Sequence, residues 1–236
     1  TMRDRAIAFV PASGRQCTTL STMFGSHLQG MPIIAENGTY VVRDGVDISS
    51  STIDPNLTRE VITGVRQLRN DGHDVGLVVA TKSIAYLERG DDPFVSHVAT
   101  YYHSHRIVKD LSEHTDDVIK LSIYDFREAS EATYPTMQRT APEHQVILAT
   151  PNWVDIMNPG VNKGSAVEAV QRDLGVTADQ TAIFGDFLND LEMMPMAKWS
   201  FAMANGHPNI VKASNYVAPP NTENGVITVL AALLGT

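Results

Sequence analysis

The stretch Ile183 to Leu191, IFGDFLNDL, stops an apolar run at a glycine and then crowds Asp186, Asn189 and Asp190 into five positions. Thr181 to Phe184 reads as a buried strand, and Asn189 to Met196 as a helix that begins on the polar pair. Carboxylates this close repel one another unless a cation, a helix terminus or water compensates them. Helix capping and the helix dipole account for Asn189 and Asp190. They leave Asp186 unexplained. A hard divalent cation explains it, because Mg²⁺ is commonly held by one or two carboxylates, with water and a substrate phosphate completing the shell. On the pattern alone both readings stand.

Around this stretch strands and helices alternate. Lys163 to Leu174 reads as a helix, Ser200 to Met203 and Asn215 to Ala218 as short strands, and Gly225 to Leu234 as a closing helix. Such alternation implies βαβ units and a mainly parallel sheet. The N-terminal part has the same texture. Ala6 to Val10 reads as a buried strand, Gln16 to Leu28 as a helix, Pro32 to Ala35 as a strand, and Thr39 to Val42 as a strand ended by a turn at Arg43-Asp44-Gly45. Residues 1–45 and 151–236 are therefore expected to form one discontinuous α/β core with a Rossmann-like parallel sheet.

Residues 46–150 differ. Their expected elements are a helix at Pro55 to Asn70, a strand at Asp74 to Thr81, a helix at Pro93 to Ser104, a strand at Asp117 to Tyr124, a helix at Glu128 to Arg139 and a strand at Gln145 to Thr150. They read as an inserted α+β domain, with hinges at Gly45 to Ser50 and Thr150 to Asp155. Within it, Tyr101-Tyr102-His103-Ser104-His105 offers a polar-aromatic surface for a sugar, a His103/His105 metal pair, or simply an exposed loop.

In open parallel sheets ligands bind beyond the carboxyl ends of the strands, and two further polar clusters follow strands. Ser13-Gly14-Arg15 can offer a hydroxyl and backbone N–H groups to an anion, although Ser13 could equally be a plain helix N-cap. Lys163 opens a helix, where the dipole disfavours a cation. It is either a partner for a bound phosphate or a solvated surface lysine.

Composition narrows the classes. Across 236 residues, 43% hydrophobic and 19% charged content is that of an ordinary soluble globular protein. A net charge of −9 argues against nucleic acid or an anionic membrane as a partner. The single cysteine, Cys17, permits no internal disulfide and no cysteine-based zinc site. With no leader-like or membrane-length apolar run, the expected setting is cytoplasmic.

In order and spacing these stretches resemble the haloacid dehalogenase superfamily, specifically its Cof-type branch (subfamily IIB) of sugar-phosphate phosphatases. The matching motifs are Ala12-Ser13-Gly14-Arg15, Ile34-Ala35-Glu36-Asn37-Gly38, Asp155-Ile156 through Val161-Asn162-Lys163-Gly164, and Gly185-Asp186-Phe187-Leu188-Asn189-Asp190. Ala202-Met203-Ala204-Asn205-Gly206 and Glu223-Asn224-Gly225-Val226 match the family's tail. The resemblance implies that residues 46–150 are a C2-type cap that closes over the site. It implies hydrolysis of a small phosphorylated metabolite with Mg²⁺ as cofactor. Ser13 and Lys163 are then the catalytic candidates. Ser13, Gly14, Arg15, Asn37, Lys163 and Asn205 are candidates for phosphate or substrate binding, and Asp186, Asn189 and Asp190 for the metal.

The family's chemistry begins at an Asp-x-Asp-x-Thr motif, whose first aspartate forms an aspartyl-phosphate and whose second handles protons. No pair of aspartates separated by one residue and followed by a hydroxyl occurs here. Asp91-Asp92 and Asp116-Asp117 are adjacent pairs in the inserted region. The chain reads as starting at the family's second strand, with a strand and its connection, roughly thirty to forty residues, expected upstream. Truncation is favoured over a segment supplied by another polypeptide and over a degenerate family member. The competing functional reading is a non-catalytic phosphate-binding or regulatory protein built on the same fold.

Overall fold

A computed structural model of the chain describes residues 2–235. Thr1 and Thr236, both assigned to the expected core, lie outside the described residues. The chain divides into two compact units, Thr1–Val161 and Asn162–Thr236.

In the first unit Ala6 to Val10, expected as a buried strand, is not one. Phe9 is 39% exposed. Among the described residues the segment gains ladder pairing only just beyond its end, where Ala12 bridges Ile34 in parallel. A strand is defined by its partners, and an apolar run without them stays extended chain. Helix α1 (Cys17–Phe24) stops four residues earlier than expected, at Gly25, whose φ of 53° leaves the helical region. A 3-10 turn carries the chain on to Leu28.

Strands β1 (Pro32–Ala35), β2 (Tyr40–Arg43) and β3 (Val46–Ser50) form an antiparallel meander. Asp44 and Gly45 both sit at positive φ, the twist that two-residue hairpin turns require. The expected hinge at Gly45 to Ser50 is thus mostly strand. Helix α2 (Pro55–Asn70) has its expected bounds, with Pro55 in the first turn and the Asp54 carboxylate accepting from Asn56 N at 2.7 Å.

The remaining elements are β4 (Val75–Thr81), β5 (Ala85–Leu87), α3 (Asp92–Ala99), β6 (His105–Ile107), β7 (Val118–Asp125), α4 (Thr133–Thr140), β8 (Gln145–Leu148) and β9 (Trp153–Met157). They build a six-stranded sheet of order β6-β5-β4-β7-β9-β8. It is antiparallel except for the β5–β6 pair. Both faces are covered. Leu77 and Val79 of β4 pack with Val61, Val65 and Leu68 of α2, while Val78 and Ala80 pack with Phe94 and Val98 of α3. Two-sided burial is why β4 reads as an unbroken apolar run.

Several elements differ from the sequence reading, and four of the differences have a local reason. Strand β7 begins one residue late because Asp117 is left-handed, with φ 56°. Helix α3 ends at Ala99, since the chain from Tyr101 to Ser104 turns away to bond residues 16 and 19. Helix α4 starts only at Thr133, because Asp125 takes Arg127 N and the Thr133 hydroxyl and holds the loop before it irregular. Strand β9 occupies most of the second expected hinge; the prolines at 151 and 159 mask a five-residue strand between them.

Asp91 caps α3 by accepting from Phe94 N and pairs with Arg89. The Arg89 guanidinium holds the Asp91 carboxyl below its ordinary value of 3.8. Its contribution is therefore present above that value and is lost as pH falls through the lower folded-state value. Asp91→Ala is expected to cost about 1 kcal/mol at neutral pH. Urea denaturation should show the difference shrinking below the ordinary carboxyl range.

The second unit holds α5 (Lys163–Leu174), β10 (Ala182–Gly185), β11 (Trp199–Met203), α6 (Pro208–Ala213), β12 (Tyr216–Ala218) and α7 (Gly225–Leu234). Its sheet, β10-β11-β12, is parallel throughout, as the alternation predicts. Asn189 to Met196, expected as one helix, is instead two 3-10 turns, Leu188–Asp190 and Met194–Met196. Pro195 lacks an N–H and its ring would clash with the carbonyl four residues back, so no α-helix runs through it. Among the described residues no helix is long and apolar enough to cross a membrane.

Candidate active site

In the second unit β10 ends at Gly185, which puts Asp186 at the carboxyl end of a parallel strand. Asp186 and Asn189 are exposed, whereas Asp190 is 5% exposed. Both Asp190 oxygens are engaged. Oδ1 meets Lys163 Nζ at 2.6 Å, and Oδ2 accepts from Asp186 N at 3.0 Å and Phe187 N at 3.5 Å. The Asp186 carbonyl accepts from His207 N at 2.8 Å, which fastens the loop to the next connection. Asp190 therefore shapes the loop, and Asp186 presents its carboxylate outward.

Lys163 is 5% exposed, which removes the reading of it as a solvated surface lysine. Asn162 caps α5, accepting from Ser165 N at 2.9 Å while Ser165 Oγ accepts from Asn162 N at 3.2 Å. The cap fixes the direction of the first turn, and Asp190 offsets the unfavourable meeting of a lysine with the positive end of the helix dipole. Gly164 lets the turn come close to the chain at Glu192: a Cβ there would lie 2.3 Å from the Glu192 carbonyl oxygen. Gly164→Ala is expected to cost about 1–3 kcal/mol by forcing that backbone apart, to be read in thermal melts.

Asn205 binds Asn221 at both ends, donating from Nδ2 to Oδ1 at 2.9 Å and accepting from Asn221 N at 3.2 Å. It ties the loop after β11 to the loop before α7. Among the described residues no group of three or more His, Cys, Asp or Glu side chains gathers closely enough to hold a metal by itself, so His103 and His105 belong to none. His105 Nδ1 lies instead 2.9 Å from the Tyr102 carbonyl oxygen. The donor at the end of β10 is an exposed, hard carboxylate. That fits an ion that keeps most of its water and needs only one or two protein carboxylates.

In the first unit Ser13, Gly14, Arg15 and Asn37 are brought together. Ser13 N donates to Ile34 O at 3.0 Å, and Asn37 N donates to Ser13 O at 3.0 Å. The Ser13 hydroxyl accepts from Arg15 N at 3.2 Å, keeping its own proton available to donate. Ser13 is not the N-cap of α1. Gln16 holds that position, and its side chain makes no capping bond. Gln16 Oε1 accepts from Ser104 N and Gln16 Nε2 donates to Ser104 O, each at 3.0 Å. Arg15 Nη1 donates to Thr100 O at 2.6 Å and its guanidinium lies over the Tyr101 ring.

Next to this turn is a buried ionic group that sequence reasoning missed. Lys120 on β7 is 3% exposed, Glu36 1% and Asp155 on β9 7%. Lys120 Nζ lies 2.5 Å from Glu36 Oε2, 4.0 Å from Asp155 Oδ2 and 3.2 Å from the Gly14 carbonyl oxygen, to which it donates. Glu36 Oε1 has no hydrogen-bond partner among the described residues. Ser122 Oγ donates to Asp155 Oδ1 at 2.6 Å and lies 3.0 Å from the Tyr102 hydroxyl. Burial alone would pull the Lys120 ammonium down, but the carboxylate charges of Glu36 and Asp155 outweigh it and hold it well above its ordinary value. The available signal was a single lysine inside the apolar run Val118 to Ile123.

Comparison with known proteins shows the family of the chain. The profile of the haloacid dehalogenase-like hydrolases matches residues 1–230. The 5-amino-6-(5-phospho-D-ribitylamino)uracil phosphatase YbjI of Escherichia coli (strain K12) is 29% identical over 239 residues, covering 99% of this chain and 85% of that protein. The solved structure of SMU.1108c from Streptococcus mutans UA159 has a TM-score of 0.83 at 23% identity, covering 100% of this chain and 88% of its own. The subclass IIB sugar phosphatase BT4131 has a TM-score of 0.77 at 20% identity, covering 99% and 87%. With the profile matching nearly the whole length and the ordered motifs in place, the chain belongs to the haloacid dehalogenase-like hydrolase family.

Proposed function

We propose that this protein hydrolyses the phosphomonoester of a small metabolite of the sugar-phosphate class, in a cytoplasmic setting and with Mg²⁺ as cofactor. The observation that carries the reading is the arrangement at the end of β10, where the buried Lys163–Asp190 pair orders a loop that turns the Asp186 carboxylate outward. Asp186 would hold the metal, with Asn189 and Asp190 supporting it. When bound, Mg²⁺ supplies Lewis-acid polarisation and charge neutralisation at the phosphoryl oxygens. Lys163 neutralises charge beside the phosphoryl group. By the family resemblance, the Ser13 hydroxyl, the N–H groups of its turn and Asn37 would be the phosphate donors of the first unit. These are the terms from which catalysis of phosphoryl transfer mainly arises. Asn205 would act by holding its loop. Turnover through an aspartyl-phosphate, as the family resemblance implies, requires a nucleophilic carboxylate in addition to the residues assigned here.

The substrate class is supported by the relatives. One of them dephosphorylates a phosphorylated ribityl-pyrimidine and a structural neighbour is a sugar phosphatase. Both compound types belong in the first panel. The test is hydrolysis of p-nitrophenyl phosphate and of that panel, with Mg²⁺ and with excess EDTA. Release of phosphate that needs Mg²⁺ is the expected result. Tight orthophosphate binding with no turnover at any Mg²⁺ concentration would overturn it in favour of a non-catalytic phosphate-binding protein.

A further inference from the structure

We propose that Lys120 is a positioning residue for the phosphate-binding turn, acting on Ser13 through the peptide that joins Gly14 to Arg15. The inference rests on the reading of Ser13 to Arg15 as the turn that meets phosphate. Lys120 Nζ donates to the Gly14 carbonyl oxygen at 3.2 Å. That carbonyl and the Arg15 N–H belong to one planar trans peptide and point in opposite directions. Fixing the oxygen therefore fixes the N–H, and Arg15 N donates to Ser13 Oγ at 3.2 Å. The ammonium also polarises the peptide and strengthens its N–H as a donor. The direction in which the Ser13 hydroxyl offers its proton is thus set from β7, more than a hundred residues along the chain.

The surroundings are built to keep that ammonium in place. Glu36 Oε2 lies 2.5 Å from it and Asp155 Oδ2 4.0 Å, in a region where these side chains are almost fully buried. Glu36 reaches it from a left-handed backbone, φ 51°, followed by Asn37 at φ 58°. Successive non-glycine residues in that region are costly and persist only where the surroundings impose them. The same two residues bracket the turn from the other side. Glu36 N donates to Arg15 O at 3.1 Å, Asn37 N donates to Ser13 O at 3.0 Å, and the Asn37 amide lies so close that a Cβ on Gly14 would meet its Oδ1 at 2.9 Å.

Lys120→Met alone would strand Glu36 in the core and could unfold the protein. The test therefore uses the paired variant Lys120→Met with Glu36→Gln, which leaves no uncompensated charge between those two positions. Amide exchange followed by NMR reads the turn with no phosphate present, and inhibition by orthophosphate reads the site. In the paired variant the Arg15 amide is expected to exchange about tenfold faster, with β7 and β9 amides keeping native protection. The orthophosphate inhibition constant is expected to rise about tenfold, and adding Ser13→Ala should then cost much less than it does in the native protein. An Arg15 amide that exchanges at the native rate in the folded variant overturns the inference, as does full additivity with Ser13→Ala. A native protein that hydrolyses nothing contradicts the proposed function instead, and the Arg15 exchange rate still decides this one.

Discussion

Asp186→Ala is expected to abolish Mg²⁺-dependent phosphatase turnover, by about a thousandfold or more, while leaving the melting temperature close to native. The two halves of that expectation have separate causes. The Asp186 side chain is exposed, and the bonds that shape its loop run through its backbone: its N–H to Asp190 and its carbonyl to His207 N. Truncating the side chain leaves these in place, so stability should move by about 0.5 kcal/mol or less, as for most surface substitutions. The carboxylate is the outward hard donor at the end of β10, and the charge it would bring to the phosphoryl group through a metal cannot be replaced by water alone. Preorganised electrostatic contacts of this kind are worth about 10²–10³ each, and loss of the metal removes more than one. Steady-state kinetics across a Mg²⁺ series, beside differential scanning fluorimetry, checks both. Native-like turnover in a folded Asp186→Ala protein would sink the assignment.

How much of this was legible in the sequence depended on whether a residue's role is local. Helix α2 was readable to the residue because its Asp54 cap, its Pro55 start and its apolar stripe are all written within the segment itself. The parallel sheet of the second unit and the places of Asp186 and Lys163 followed from alternation, because strand ends and helix starts sit next to each other in sequence. Elements in which distant partners, or their lack, overrule the local pattern were not legible. Ala6 to Val10 has the composition of a strand and, among the described residues, lacks the pairing. Trp153–Met157 has the pairing, with β7 and β8, but Asp155 interrupts its apolar pattern.

The same rule divides the site. The Ser13 turn announces itself by its small residues, yet what holds it comes from β7 and from the segment after β1. Lys120 and Glu36 are 84 positions apart, and a lone lysine in an apolar strand looks like a blemish until its partner is seen. The misread of Asn189 to Met196 has another origin. Polar starts and Met-rich apolar spacing favour a helix locally, and one proline decides otherwise.

Lys163 differs from Asp186 in that its loss should damage fold and chemistry together, and a paired variant separates them. Its ammonium is 2.6 Å from Asp190 Oδ1, with side-chain exposures of 6% and 7%. Lys163→Met leaves a buried carboxylate without its counter-ion, which costs about 3–5 kcal/mol in comparable cases. The lower end is expected here, because Asp190 Oδ2 keeps its bond from Asp186 N. Adding Asp190→Asn to Lys163→Met removes the stranded charge and should return most of the stability, since a neutral buried pair can match an ionic one. Activity should not return. The positive charge proposed to meet the phosphoryl group is still missing, and turnover is expected to stay about 10²–10³ below native. Chemical denaturation and kinetics on the single and double variants decide the matter. If Lys163 only braces the loop, restored stability will bring restored turnover; if stability returns without turnover while Asp190→Asn alone stays active, Lys163 also neutralises phosphate.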